Sequence, residues 1–155
     1  MAARQAENRA FWWINQSRAY EVERGGGYVY AGKFTTNGRV VQHHSDLTKL
    51  APGDGTLHAG RGKLLAVGRV TGTAVADLYT PPHRRTEEGW RVPVTYRELA
   101  RPIVVKEFPK SLRPQPPFNR NGTLRQGYCY PFPTEDAIEL LQYFGDLSLP
   151  DLPAQ

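Results

Sequence analysis

The chain has 155 residues, 39% of them hydrophobic, with a formal net charge of +5 and a sequence pI near 9.5. That length fits one domain able to bury most of the surface its unfolded chain would expose, and no run approaches the roughly 20 apolar residues of a membrane span. Cys129, the single cysteine, can form no internal disulfide and has no partners at zinc-ligand spacing, which removes disulfide-framework and zinc-finger readings.

The first ten residues mix alanine with polar and charged side chains, unlike a secretory leader, so a cytoplasmic location is expected. The excess positive charge is mainly arginine in the middle and late chain, a balance that favours a polyanionic partner and no membrane.

Phe11-Trp12-Trp13-Ile14-Asn15 is aromatic and β-branched and then breaks into Gln16-Ser17-Arg18, the pattern of a buried strand ending in a loop. Gly25-Gly26-Gly27 reads as a flexible turn before Tyr28-Val29-Tyr30-Ala31, a second strand with both tyrosines on one face. Ser45 to Leu50 has room for little more than one helical turn before Pro52-Gly53-Asp54-Gly55 turns the chain. Thr56–Ala59 and Leu64–Val70, joined by Arg61-Gly62-Lys63, read as a hairpin, with Gly68 marking a bulge or a close backbone approach.

Trp90, Val92, Val94 and Tyr96 alternate with Arg91, Pro93, Thr95 and Arg97, as in a strand with one face buried and a basic face outward. Pro93 puts that strand at an edge or a bulge. Phe108 to Phe118 carries four prolines and two cations and reads as an extended basic loop; Leu124 to Phe132 returns to strand character. Thr134 is placed to cap a helix whose Ala137, Leu140, Leu141 and Phe144 share a face, with Gly145 at its stop. Trp12, Trp90 and Phe144 are assigned to the core. The domain is expected to span residues 1–145, with 146–155 a linker or tail. Many short strands and few helices predict an α+β chain built on a small, barrel-like sheet.

Catalysis has little to stand on. The chain lacks a Walker-type phosphate loop, a nucleophile elbow and a histidine pair spaced for zinc with an intervening glutamate. His43-His44 with Asp46 makes a poor metal site, because adjacent histidines on a loop diverge more often than they converge. No catalytic residue, metal or cofactor is expected. Aromatic and amide side chains are better placed: Asn15, Gln16 and Tyr20 around the end of the first strand, Tyr30 on the second, Gln126 and Tyr128 on the last. A nucleobase can stack on such rings while amides read its Watson–Crick edge, although each ring taken singly is more often core.

Four segments together resemble the EVE domain of the PUA/YTH-like group. They are Trp13-Ile14-Asn15-Gln16-Ser17 through Tyr28-Val29-Tyr30-Ala31; Leu50-Ala51-Pro52-Gly53-Asp54 with Leu65-Ala66-Val67-Gly68-Arg69-Val70; Gly89-Trp90-Arg91-Val92 through Leu99; and Gln126-Gly127-Tyr128-Cys129-Tyr130-Pro131. The resemblance implies a twisted, partly closed β-barrel flanked by helices, with a pocket at one end for an extruded base. It is closest to the versions found at the N-terminus of McrBC-type motors or joined to HNH nucleases, which implies a non-catalytic reader of modified DNA that targets a fused or associated nuclease or NTPase effector. Carried over by position, the base-binding candidates are Asn15, Gln16, Ser17, Tyr20, Tyr30, His44, Gln126 and Tyr128. His44 stands close to where similar sequences carry tryptophan. The candidates for backbone contact are Lys33, Arg61, Arg84, Arg85, Arg113, Arg120 and Arg125.

The expected target is 5-methyl- or 5-hydroxymethylcytosine, a preference that rests on the resemblance. The alternatives are an N6-methyladenine or RNA reader of the YTH/PUA kind, an ASCH-like nuclease, and a protein-interaction module. Replacing Tyr30 or Tyr128 with alanine is expected to lower selectivity for the modified base while leaving the fold intact.

Overall fold

The computed structural model describes residues 10–32, 46–79, 87–145 and 148–151. Seven strands, β1 (Phe11–Asn15), β2 (Tyr28–Gly32), β3 (Gly55–Gly60), β4 (Lys63–Val70), β5 (Val75–Tyr79), β6 (Glu87–Val104) and β7 (Cys129–Phe132), form one sheet. Its order is β2-β6-β4-β3-β1-β7, with β5 also paired to β6. Among the described residues only β1 and β3 run parallel, and every other pairing is antiparallel. The sheet curls into a half-barrel, and with two α-helices among the described residues this makes an α+β domain.

Strand β1 explains the two-sided core. Successive side chains of a strand point to opposite faces, so Phe11 and Trp13 enter one cluster while Trp12 and Ile14 enter the other. The first cluster lies under the C-terminal helix (Thr134–Tyr143), where Ala137 and Leu140 meet Leu57, Leu64 and Val67. Trp13 is the hub, with Phe132 stacked at 5.9 Å and Phe108 edge-on at 6.1 Å. The second cluster lies on the other face, with Val29, Val70, Val92, Val94 and Cys129. Asp54 closes that side: it accepts from Trp12 Nε1 at 2.9 Å and from the backbone N–H groups of Ala10 and Ala51 at 3.2 and 3.0 Å.

The hairpin at residues 56–70 forms as its sequence predicts, with Arg61 (φ 53°) and Gly62 (φ 76°) as a left-handed two-residue turn. Gly68 proves to be a close approach, since a Cβ there would lie 2.5 Å from Thr56 Oγ1 and 2.8 Å from His58 Nε2; the register shifts fall elsewhere, at His58/Ala59 and Leu64/Ala66. Pro93 sits in the gap where β6 passes from its β5 partners (87–91) to its β4 partners (94–104), so no ladder bond is lost on that side.

Several expectations are corrected. The glycine run is not a loose turn: Gly25 and Gly26 end a helix over Tyr20–Gly26, and Gly27 (φ 75°) is its left-handed cap, with its N–H on the carbonyls of Glu23 and Arg24. Only Tyr20 and Glu23 of that helix are buried, so no apolar stripe announced it. The proline-rich stretch has little regular structure, as expected, beyond a 3-10 turn at Lys110–Leu112, but it is anchored in the core by Phe108, Leu112 and Phe118. Strand character begins at Cys129 rather than Leu124, because the Arg125 and Gly127 carbonyls are taken by the Asn15 amide instead of a ladder. Thr134 is the first helical residue and Pro133 occupies the cap position without a side-chain cap bond. Trp12 is core at 6% exposure, whereas Trp90 and Phe144 are only partly buried at the margins of the two clusters.

In the described part of the tail, Arg97 donates to the Ser148 carbonyl at 3.0 Å, Arg69 donates to the Pro150 carbonyl, and Leu149 packs on the first cluster. No helix among the described residues is long and apolar enough to cross a membrane.

Candidate nucleic-acid interface

At one end of the half-barrel, the end of β1, the first helix, β2, β3, β6 and the segment before β7 converge on a buried polar network. Gln16 is its centre, at 4% exposure. Its Nε2 donates to Glu23 Oε1 at 2.8 Å and to the Tyr96 hydroxyl at 2.8 Å, and Tyr96 in turn donates to the Tyr28 carbonyl at 2.7 Å. Gln16 Oε1 lies 2.9 Å from His58 Nδ1, and His58 Nε2 lies 2.7 Å from Thr56 Oγ1. Glu23 also accepts from the Tyr128 hydroxyl, while the Tyr30 backbone N–H donates to Tyr128 at 3.1 Å.

These partners dictate protonation. The amide oxygen of Gln16 can only accept, so His58 carries its proton on Nδ1, and its bare Nε2 accepts from Thr56. Complete burial holds the imidazole pKa down to about 3, so the ring is neutral and Nε2 is left to accept from the Thr56 hydroxyl. Glu23 moves the other way. Burial pushes it up to about 7, against the pull of hydrogen bonds from Gln16, Tyr128 and the Tyr30 backbone. Burial likewise raises the hydroxyls of Tyr96 and Tyr128, with Glu23 as the next cause, so both remain hydrogen-bond donors.

The candidate residues therefore divide. Asn15 is fully engaged: its Oδ1 accepts from Trp13 Nε1 at 2.8 Å and its Nδ2 donates to the carbonyls of Arg125 and Gly127 at 3.0 and 2.6 Å. Gln16 and Tyr128 belong to the network, and Tyr30 is buried at 4% exposure with its ring across Gly89. These side chains form the floor and walls of the sheet end. The expectation that alanine at Tyr30 or Tyr128 leaves the fold intact is corrected accordingly, because each removal opens the core or strips a hydrogen bond from Glu23.

Ser17 and Gln126 are exposed, and Tyr20, which lines one cleft with Ser17, is buried with its hydroxyl unpartnered. Ser17 holds φ 44°, the left-handed region that non-glycine residues seldom occupy and that recurs at functional sites.

Among the backbone-contact candidates, Arg61, Arg120 and Arg125 are exposed. Arg113 is not available, because it donates to the carbonyls of Phe108 at 3.0 Å and Lys106 at 2.7 Å. His44, Lys33, Arg84 and Arg85 lie outside the described residues. Sequence reasoning missed Glu23, Thr56, His58 and Tyr96. A signal for the middle two was present: Thr56 and His58 share a strand face, and the facing hairpin positions are Gly68 and Ala66, which leave room for them. It also missed Arg18 and Lys63, which with Ser17, Tyr20 and Arg61 line an open cleft of about 520 Å³. Among the described residues, no cluster of three or more His, Cys, Asp or Glu side chains could hold a metal ion.

No protein-family profile and no curated protein matches the chain. Solved structures do. The YTH domain of the MRB1 protein of Zygosaccharomyces rouxii, solved in complex with N6-methyladenosine RNA, superposes with a TM-score of 0.57 at 15% identity, over 92% of this chain and 90% of that one. The chain has a YTH-like fold. The same architecture recurs in the Rhodopseudomonas palustris protein Rpa0253, with a TM-score of 0.57 at 12% identity over 90% of this chain and 95% of that one. A hypothetical protein from Leishmania major gives 0.56 at 10% identity, over 89% and 96%. A YTH-like half-barrel at these identities establishes the architecture, and function has to be argued from the site.

Proposed function

We propose that this chain is a non-catalytic, EVE-type reader of nucleic acid, one that takes a modified base out of its stack and holds it at the polar end of the half-barrel. The observation that carries the reading is the likeness in fold, over 92% of the chain, to a domain solved on N6-methyladenosine RNA. Two features support it. The network end is hydrogen-bonded and made of aromatic and amide groups, which is what selective base recognition needs. Exposed arginines such as Arg61, Arg120 and Arg125 are available for backbone contacts.

Energetics set what the site must do. Extruding a base costs a few kcal/mol, and stacking on one aromatic ring returns about 1–3 kcal/mol, so net affinity has to come from backbone contacts and fall steeply with salt. A buried methyl group adds only about 0.8 kcal/mol, roughly fourfold in affinity, so strong selectivity needs hydrogen-bond or steric rejection of the unmodified base.

The target we propose is DNA carrying 5-methyl- or 5-hydroxymethylcytosine, read on behalf of a restriction effector, because the Asn15-Gln16 opening resembles the restriction-linked versions. A second reading, an RNA or N6-methyladenine reader, is favoured by the RNA bound to the Zygosaccharomyces rouxii domain. Binding to matched DNA duplexes and RNA strands carrying one modified or unmodified cytosine or adenine, at two salt concentrations, separates them. Preference for one modified DNA supports the first reading and preference for methylated RNA the second. Loss of substrate integrity would replace both with a nuclease of the ASCH kind, and absence of nucleic-acid binding would leave a protein-interaction module.

A further inference from the structure

We propose that the cleft between the first helix and the β3–β4 turn is a second nucleic-acid subsite, which holds a phosphate-bearing nucleotide next to the one being read. It rests on the reader function above and joins Arg61, Ser17 and Tyr20 to Arg18 and Lys63, which lie outside the buried network.

Charge is the first argument. Arg18 comes from the turn after β1, while Arg61 and Lys63 come from the hairpin tip more than forty positions later. The fold brings these separate segments together on one cleft. All three cations are exposed, and none forms an ion pair among the described residues. Glu21 is the only carboxylate in the lining, so three cations against one anion leave a net charge of +2. Arg24 on the same helix is excluded from the count because it pairs with Glu98 at 2.6 Å.

An exposed arginine at a hairpin tip is ordinarily just solvated, so charge alone would carry nothing. Tyr20 supplies the independent observation. It lines the cleft, is 8% exposed, and its hydroxyl finds no hydrogen-bond partner. A buried hydroxyl left unpaired is uncommon and costly, and a ligand oxygen would satisfy it. Burial, with Glu98 next in effect, pushes its pKa up to about 12, so at neutral pH it is a donor.

Shape agrees. A cleft of about 520 Å³ is within the range of ligand sites and generous for one inorganic anion. Leu65 and Pro102 provide an apolar wall on which a sugar can rest while the cations take its phosphate. Gly60 keeps the floor open: a Cβ there would press on Leu65 Cδ1 at 3.1 Å and on Ser17 N at 3.3 Å.

The test uses the full chain with Arg18→Gln, Arg61→Asn and Lys63→Gln combined, asparagine being chosen for the left-handed position of Arg61. Affinity for modified and unmodified oligonucleotides of one sequence is measured between about 50 and 200 mM salt. The expected result is a loss of roughly tenfold or more on both oligonucleotides, a log–log salt slope smaller by about 2, and an unchanged ratio between the two. Tyr20→Phe should also weaken binding while leaving Tm unchanged or higher, and wild-type affinity in that variant would remove the hydroxyl from the site. Wild-type affinity and slope in the triple variant would overturn the cleft even if the modified base is still preferred. Wild-type binding that ignores modification but weakens in the triple variant would overturn the reader and leave the cleft standing. No salt-dependent binding by the wild type would overturn both.

Discussion

Tyr128, on the segment leading into β7, donates its hydroxyl proton to Glu23 on the first helix, 105 residues earlier in the chain. That contact ties the segment before β7 to the helix that follows β1. It also means that a carboxyl with its pKa at about 7 and an imidazole at about 3 are linked through Gln16, with opposite consequences for pH.

For Glu23, whose folded pKa is raised above the unfolded value of 4.5, stability is fully present below 4.5 and lost as pH rises through about 7. For His58, depressed from 6.5 to about 3, stability is present above 6.5 and lost as pH falls toward 3. Between about pH 5 and pH 8 the two contributions amount to roughly 2 kcal/mol each and nearly cancel. Urea unfolding across that window should therefore give a flat wild-type profile. Glu23→Gln should turn it upward with pH and His58→Gln downward. Parallel profiles for the two variants would remove these groups as the source.

The direction of the hydrogen-bond chain is checked by imidazole ¹⁵N spectra. His58 should show a protonated Nδ1 and a bare Nε2, unchanged on acidification well below the ordinary histidine range. The opposite tautomer would require Gln16 to be turned over, with its oxygen facing Glu23 and Tyr96 and its donation to both lost.

Gly68→Ala is expected to cost about 1–3 kcal/mol in chemical denaturation, the range for an overpacked core. The new methyl would lie 2.5 Å from Thr56 Oγ1 and 2.8 Å from both His58 Nε2 and Val94 Cγ1. Gly62→Ala leaves open space around its Cβ but carries φ 76°, so any cost there is backbone strain alone.

Asp54→Ala should be more damaging than Trp12→Phe. The first leaves three donors without an acceptor, two backbone N–H groups and the Trp12 indole, for about 3 kcal/mol or more; the second removes one donor and keeps most of the ring. Equal losses in Tm would show that the ring, not the carboxylate, holds the base of β1.

Much of the fold was legible because strands announce themselves locally. The alternation through Trp90–Arg97, the apolar run at Phe11–Ile14 and the paired segments around Arg61-Gly62 are properties of neighbouring residues, and their order predicted a curled sheet closed by one late helix. The first helix escaped because it buries a tyrosine and a glutamate instead of an apolar stripe, and glycine at its end satisfies a cap as readily as a loop. The proline-rich stretch escaped because three widely spaced aromatic and aliphatic side chains, with no period, anchor it.

The sequence by itself determined which residue types stand at the end of β1 and before β7, and hence that amide and aromatic groups dominate this end of the molecule. Only the tertiary structure decided their roles. Whether Gln16 faces a ligand or a neighbour depends on what lies across from it, and Glu23, His58, Tyr96 and Tyr128 come from four separate parts of the chain. The same holds for the cleft: Arg18, Arg61 and Lys63 are ordinary surface cations in the sequence, and they become a site because β1 and β3 run parallel and end together. Hydrogen-bond satisfaction and charge proximity are pairwise properties of distant residues, so they exist only once the sheet has closed.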